Sequence, residues 1–175
     1  MNKPTLYLVA AVAAVTLGGV GIGAYRGQSD PVSMSGSVAP ASTFVLLDAS
    51  RKTTDDFKGR VTLVNFWATT CAVCVAEMPR IVATHNKYHA RGFDTMAVAM
   101  RHDPPSSVVH YAQTRQLPFD VAIDNTGSIA KAWGDVQATP TTFVVNQRGD
   151  VVKRYVGEPD FAELHKLIES LLPKL

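Results

Sequence analysis

The chain predicts one α/β domain built on a mixed sheet, preceded by an apolar N-terminal segment. Three observations carry that expectation. Strand-like and helix-like runs alternate through the middle of the chain, which requires parallel strands joined by helical crossovers. Two further strand-like runs flank Asn146-Gln147-Arg148-Gly149-Asp150, a hairpin signal that adds antiparallel strands. The only two cysteines, Cys71 and Cys74, stand where an apolar run ends and a helix-like run begins.

The elements follow in order. Lys3 precedes an uncharged stretch from Pro4 to Tyr25, and Arg26 closes it. Roughly 20 apolar residues span a bilayer as a helix, whereas a cleavable signal has a shorter apolar centre of about 7–15 residues ending in small ones. Residues 1–26 are therefore expected to be a membrane anchor. A cleaved signal is the alternative, with Gly21-Ile22-Gly23 and Ile22-Gly23-Ala24 as cleavage contexts. Lys3 and the α-amino group favour an inside N-terminus against the opposing Arg26. The balance resembles an export signal, so the main domain is expected in the periplasm or another extracytoplasmic space, held to the inner (cytoplasmic) membrane. Residues 27–38, rich in Ser with Gly and Pro, have little to bury and read as a flexible linker. The domain proper is expected over 39–175.

Within it, Thr43 to Leu47 reads as a strand, Asp55 to Gly59 as a turn and Val61 to Trp67 as a buried strand. Ala72 to about Ala90 reads as a helix with Val75, Met78 and Val82 at helical spacing. Pro79 lies inside it and is expected to kink its first turn away. Thr95 to Met100 is the next strand. Pro104 to Gln116 is a helix opened by proline, where a missing N–H costs little. Phe119 to Ile123 is a short strand and Gly127 to Trp133 a short helix. Strands from Thr141 to Val145 and from Val151 to Tyr155 form the hairpin, and an amphipathic helix from Phe161 to Leu172 closes the chain.

Composition narrows the function classes. Apolar content of 46% supplies a core, and 18% charge argues against wholesale disorder. With 17 basic and 15 acidic side chains the net charge is +2, which gives no electrostatic case for nucleic acid. Two cysteines cannot form the disulfide network of a small secreted fold. As a merely structural bridge, Cys71–Cys74 would close a very short loop, far below the ~3 kcal/mol expected for about 15 residues. At a helix start, outward-pointing N–H groups favour a thiolate. Cys71, the outer residue, is expected to be the nucleophile, and Cys74, one turn in and more buried, the resolving thiol. Such a pair closes and reopens by thiol–disulfide exchange.

A metal centre is not expected. Cys71, Cys74, His85 and His89 have a zinc-like spacing, but one helix would separate Cys74 from His85 by about 16 Å. Zinc ligands must lie about 2.0–2.3 Å from one ion. His85 and His89 then read as solvated face residues. Val75, rather than His, follows Cys74, so haem attachment fails as well.

The segment Val64-Asn65-Phe66-Trp67-Ala68-Thr69-Thr70-Cys71-Ala72-Val73-Cys74-Val75-Ala76-Glu77-Met78-Pro79 resembles the active site of the membrane-anchored TlpA/ResA-like thioredoxin proteins. The likeness runs from about Ala39 to Leu172 and includes Ala39-Pro40, an extra strand–helix before the hairpin, and Ala138-Thr139-Pro140-Thr141. Two positions depart from it. Thr70 stands where the family usually has Trp, and Val73 where many members have Pro. Asn65 takes the place of the buried acid of cytosolic thioredoxins. The resemblance implies a thioredoxin-like fold with a strand–helix insertion and a cis peptide at Thr139-Pro140 facing the sulfurs. It places Glu77 near the thiols, able to exchange a proton with Cys74; the alternative is an exposed first-turn glutamate favoured by the helix dipole. Thr139, Pro140, Trp67 and Thr70 form the expected substrate-binding set, with Trp67 also supporting the turn. Trp133 is expected to serve packing. Arg101-His102-Asp103 is expected as a solvated loop, with substrate contact the alternative.

The function implied is an anchored thiol–disulfide oxidoreductase with no cofactor beyond the Cys71–Cys74 disulfide. It would act as a reductase of substrate-protein disulfides, such as apocytochrome c or metal-site thiols, recharged by a membrane thiol electron donor. An oxidase running the exchange backwards is the alternative, which a potential near −120 mV would favour. A copper(I) metallochaperone, binding the ion between soft thiolates, is the rival from another class.

Overall fold

The computed structural model describes residues 36–174; the expected anchor and most of the linker lie outside them. Among the described residues no helix is long and apolar enough to cross a membrane.

The fold is organised around β4 (Val61–Trp67), buried along its whole length. Its run of β-branched and aromatic residues suits a strand covered on both faces. It pairs in parallel with β5 (Phe93–Ala99), from Val61↔Phe93 to Trp67↔Ala99. A 17-residue helix, α1 (Ala72–Tyr88), makes the crossover. On the far side of β5, β6 (Asp120–Ile123) is also parallel and is reached through α2 (Pro105–Thr114). After the short α3 (Ser128–Ala132), β7 (Thr141–Val145) returns antiparallel to β4 and forms a hairpin with β8 (Asp150–Val156). The closing helix α4 (Phe161–Leu171) is capped by Asp160, whose carboxylate accepts from the N–H groups of Ala162 and Glu163 at 2.8 and 3.0 Å. With β1 (Ser37–Val38) the six-stranded sheet has the order β1-β8-β7-β4-β5-β6. This is the thioredoxin-like α/β architecture, with mixed sheet and flanking helices.

Alternation along β4 sorts its side chains between two cores. Val61, Leu63 and Trp67 face α1, α2 and α4, meeting Met78, Ile81, Tyr88, Val108 and Leu164. Val64 and Phe66 face the other way, toward Phe44, Met96, Trp133 and Phe143. Asn65 shares the parity of Leu63 and Trp67, so a strand period of two turns it toward α1.

Three differences from the sequence reading have plain causes. Ser37 and Val38, assigned to the linker, pair with Val151 and Asp150 at the sheet edge; main-chain pairing there does not depend on side-chain burial. Arg51–Thr53 forms an unanticipated strand, β3, pairing with β2 (Thr43–Val45). Its polar sequence has no apolar alternation, and Lys52 instead pairs with Asp120 of β6. The β5 strand starts two residues before the expected Thr95. Gly92, in the left-handed region at φ 95°, ends the preceding 3-10 turn and releases Phe93 into the sheet.

Phe66 is completely buried, its ring 5.8 Å from Phe143 and 6.1 Å from Trp133. Phe66→Ala is expected to cost about 3–5 kcal/mol of unfolding free energy, as large core aromatic deletions do. Urea unfolding followed by circular dichroism measures it.

Candidate active site

At the C-terminal end of β4 the chain turns through Ala68, Thr69 and Thr70 into α1, with Cys71 as the residue that caps the helix. Cys71 and Cys74 are joined as a disulfide, with Cα atoms 5.2 Å apart. Their environments differ. Cys71 is partly exposed, whereas Cys74 is only 2% exposed and belongs to the core beneath α1. The N–H of Cys74 donates to Cys71 Sγ at 3.2 Å. Negative charge on that sulfur in the reduced protein would therefore meet an aligned amide donor and the positive end of the helix dipole. An outside nucleophile or disulfide reaches Cys71 first.

Facing Cys71 across the site is the loop before β7. The Thr139–Pro140 peptide is cis, as the resemblance implied, and Cys71 Sγ lies 3.6 Å from the Thr139 carbonyl oxygen. Thr139 is half-buried and Pro140 buried.

Glu77 lies three residues after Cys74 and is only 1% exposed, so it is not the surface glutamate of the alternative reading. Asn65 Nδ2 donates to Thr142 Oγ1 at 2.9 Å and reaches Glu77 Oε1 at 3.4 Å; Glu77 Oε2 has no hydrogen-bond partner. A carboxylate this poorly solvated is costly to ionise. Burial, followed by repulsion from Glu158, pushes Glu77 up to about 7, with Arg80 opposing the shift.

Other candidates take distinct places. Thr70 is exposed beside Cys71. Trp67, expected to contact substrate, is fully buried under the turn with its ring 5.1 Å from Tyr111, so it supports the turn from below. Trp133 packs between Phe66 and Phe143 and donates Nε1–H to Ser42 Oγ at 3.0 Å. In the Arg101-His102-Asp103 loop, Arg101 and His102 are exposed, but Asp103 is 2% exposed and accepts from Thr69, which corrects the expectation of a solvated loop.

His85 also departs from its expected solvated position. It is buried, 3.2 Å from Thr95 Oγ1, because its place in α1 faces the start of β5; His89 is exposed. Since α1 runs unbroken from Ala72 to Tyr88, Cys74 and His85 are about 16 Å apart along it. His85, His89 and Asp94 do bring potential ligand atoms within 4.8 Å of one another. However, Arg60 sits among them, donating to the carbonyls of His89 and Phe93 at 3.0 and 2.5 Å with its Nη2 3.1 Å from His89 Nδ1. That fixed positive charge disfavours a second cation there.

Sequence reasoning did not anticipate Thr142, Tyr111 or the Arg80–Glu158 pair as neighbours of the site. Each comes from another element, and no local spacing marks it. The signal for Asp103 was its position just after a parallel strand, on the sheet edge that carries the thiols.

A vicinal disulfide at a helix start, on this sheet and opposite a cis-proline loop, defines a thioredoxin-fold thiol–disulfide oxidoreductase whose functional centre is the Cys71–Cys74 disulfide. Comparison with known proteins agrees. Residues 34–168 match the Redoxin family model, and the chain belongs to that family. It is 29% identical to the thiol-disulfide oxidoreductase ResA of Bacillus thuringiensis subsp. konkukian, over 99% of this chain and 100% of that protein. It is 30% identical to ResA of Geobacillus thermodenitrificans, over 79% of this chain and 78% of that protein. Among solved structures, a Neisseria meningitidis protein described as a thioredoxin is 39% identical, with a TM-score of 0.72 over 76% of this chain and 88% of that one. A thiol:disulfide interchange protein of Chlorobium tepidum is 26% identical, with a TM-score of 0.69 over 77% and 94%. The chain is thus related to the TlpA/ResA-like proteins.

Glu77 links protonation to stability. Its carboxyl holds a proton more tightly folded, at about 7, than at the ordinary 4.5. The folded state binds more protons between these values, so stability falls as pH rises from about 4.5 to 7 and levels off above. Glu77→Gln is expected to flatten that slope and to be the more stable protein at pH 8. Urea unfolding at pH 5 and pH 8 checks both.

Proposed function

We propose that this protein is a membrane-anchored, extracytoplasmic reductase of disulfides in substrate proteins. Residues 1–26 would be the anchor, 27–35 the flexible part of a linker, and the domain would present Cys71 to its substrates. The observation that carries the reading is the inequality of the two sulfurs: Cys71 is accessible and receives an amide N–H, while Cys74 is enclosed one turn from a buried carboxyl. The names of the Bacillus and Geobacillus relatives, thiol-disulfide oxidoreductases, support the reaction class.

The reaction begins with the reduced pair. Cys71 thiolate attacks one sulfur of a substrate disulfide, forming a mixed disulfide and expelling the other substrate sulfur as thiolate. Cys74 then loses its proton and attacks Cys71 Sγ, releasing the second substrate thiolate and leaving the Cys71–Cys74 disulfide. Two electrons pass from protein to substrate. Glu77, ionised near neutrality, accepts the Cys74 proton, which has few other exits from an enclosed site. The main-chain groups of Thr139 align an extended substrate segment, Pro140 shapes that contact, and Thr70 borders it. Trp67 holds the turn from beneath. A membrane thiol electron donor restores the dithiol, and substrates awaiting haem or metal at cysteine thiols suit this chemistry.

Cys71→Ala is expected to abolish reduction of a protein disulfide, and Cys74→Ala to retain substrate covalently on Cys71. Affinity isolation of the Cys74→Ala protein from cells, followed by release with reductant, identifies the substrate. Recovery of nothing but glutathione, released as its reduced thiol, would overturn the protein-substrate reading.

Glu77→Gln is expected to slow turnover by about 10²-fold, the lower end for a lost general base. Wild-type rate should rise with pH through about 7, where Glu77 ionises. The variant should lack that inflection. Steady-state rates from pH 5.5 to 8.5 provide the comparison.

A further inference from the structure

We propose that Asp103 is a positioning residue for disulfide exchange: its buried carboxylate clamps Thr69 and thereby holds Cys71 where Cys74 can reach it. The inference rests on the exchange reaction proposed above and adds a residue that acts on the sulfurs through the turn.

Both oxygens of the Asp103 carboxylate are committed to one residue. Oδ2 accepts from the Thr69 N–H at 2.6 Å and Oδ1 from the Thr69 hydroxyl at 2.5 Å. The side chain is 2% exposed, so these bonds form where water competes poorly and charged hydrogen bonds are strong. The loop that carries Asp103 is itself fixed. Its N–H donates to the Met100 carbonyl at 2.9 Å, and the Met100 N–H donates to the Trp67 carbonyl at 3.0 Å. Asp103 is thus anchored to the end of the sheet and reaches across to the turn that leaves it.

Thr69 stands two residues before Cys71, inside a tight turn closed by the Cys71 N–H on the Ala68 carbonyl at 3.2 Å. Cys74, by contrast, is held in α1 and packed in the core. The freedom left in the reduced pair is therefore mainly that of Cys71 relative to Cys74. Restricting it raises the effective concentration of one sulfur at the other, because less conformational entropy is lost when they join. A merely structural carboxylate would stabilise the domain but leave the balance between dithiol and disulfide unchanged.

Removing the clamp should act on ring closure more than on the first attack. Asp103→Ala is expected to lower the equilibrium constant for forming the internal disulfide about tenfold, a rise in potential of about 30 mV. Resolution of a mixed disulfide on Cys71 by Cys74 should slow by a similar factor, while the initial attack by Cys71 changes less than threefold. Thr69→Val keeps the backbone N–H and loses the hydroxyl bond, so its shift should be intermediate. Thr69→Ser keeps both bonds and should behave as wild type.

The full chain in detergent serves for all four proteins. Equilibration in dithiothreitol buffers gives the potential, and stopped-flow with a Cys71-glutathione mixed disulfide gives the resolution rate. If Asp103→Ala fails to fold, the ordering of Thr69→Val and Thr69→Ser carries the test alone. Wild-type potential and resolution rate in folded Thr69→Val would overturn the clamp. Failure of the wild-type protein to reduce any protein disulfide would instead overturn the functional reading, leaving the potentials as an independent measure of the clamp.

Discussion

Strand β4 is hydrogen-bonded along both edges, to β5 and β7, and covered on both faces. A strand so enclosed can offer chemistry only at its end, and its C-terminal end is where the Ala68–Thr70 turn lifts the chain into α1. The same strand fixes the interior of the site. Asn65, two positions before Trp67, is aimed by strand alternation at α1, and its register opposite Thr142 of β7 supplies a hydroxyl partner. Disulfide and buried carboxyl are therefore located by a single element. The turn places Cys71 at the surface with Cys74 enclosed behind it, and the strand's inward face places an amide beneath Glu77.

That amide compensates Glu77 weakly. A hydrogen bond at 3.4 Å to one oxygen, with the other unpartnered, is a poor substitute for water around a carboxylate. The positive charge that opposes the shift is also diverted. Arg80 donates to Glu158 at 2.6 Å and stacks over the Phe161 ring at 4.0 Å, so its charge is largely answered before it reaches Glu77. Glu158 then adds repulsion of its own. The result is an acid that changes protonation near neutral pH, where a thiol about to attack must lose a proton. A fully compensated carboxylate would remain ionised and be a weaker base; an exposed one would lie away from the enclosed sulfur.

The sheet and its helices were legible because their signals are local. The apolar run from Val61 to Trp67, the thiol spacing and the turn at Asn146 to Gly149 each lie within a few residues. What escaped reading was non-local. Arg51–Thr53 is a strand because β2 and Lys52–Asp120 hold it, not because its own sequence prefers one. His85 looked like a surface residue by spacing, yet the start of β5 covers it. Asp103 sits in a polar loop, after Arg101-His102 and before Pro104-Pro105, and only the meeting of that loop with Thr69 gives its side chain a partner. Glu77 was placed near the thiols by likeness to a family; its burial and raised proton affinity required the fold, which sets its contact with Asn65 and the charges of Glu158 and Arg80 around it.

The two departures from the family pattern act on the same sulfur. Val73, half exposed between the cysteines, retains a backbone N–H that proline would lack. The first N–H groups of a helix have no acceptor within it, so this donor contributes to the positive helix end at which the Cys74 N–H is directed at Cys71 Sγ. Thr70 leaves the approach to Cys71 without the aromatic cover that tryptophan would give. Both changes favour charge on the outer sulfur, which taken alone stabilises the reduced protein and raises its potential. The inner sulfur opposes this. Cys74 is enclosed beside a carboxyl that becomes anionic near pH 7, and burial disfavours its thiolate. In the exchange proposed above, the outer thiolate would then serve as attacking and leaving group, and the inner one as the nucleophile that closes the ring once deprotonated. The potential is set by the difference between these opposed terms, so neither departure fixes the direction of electron flow by itself.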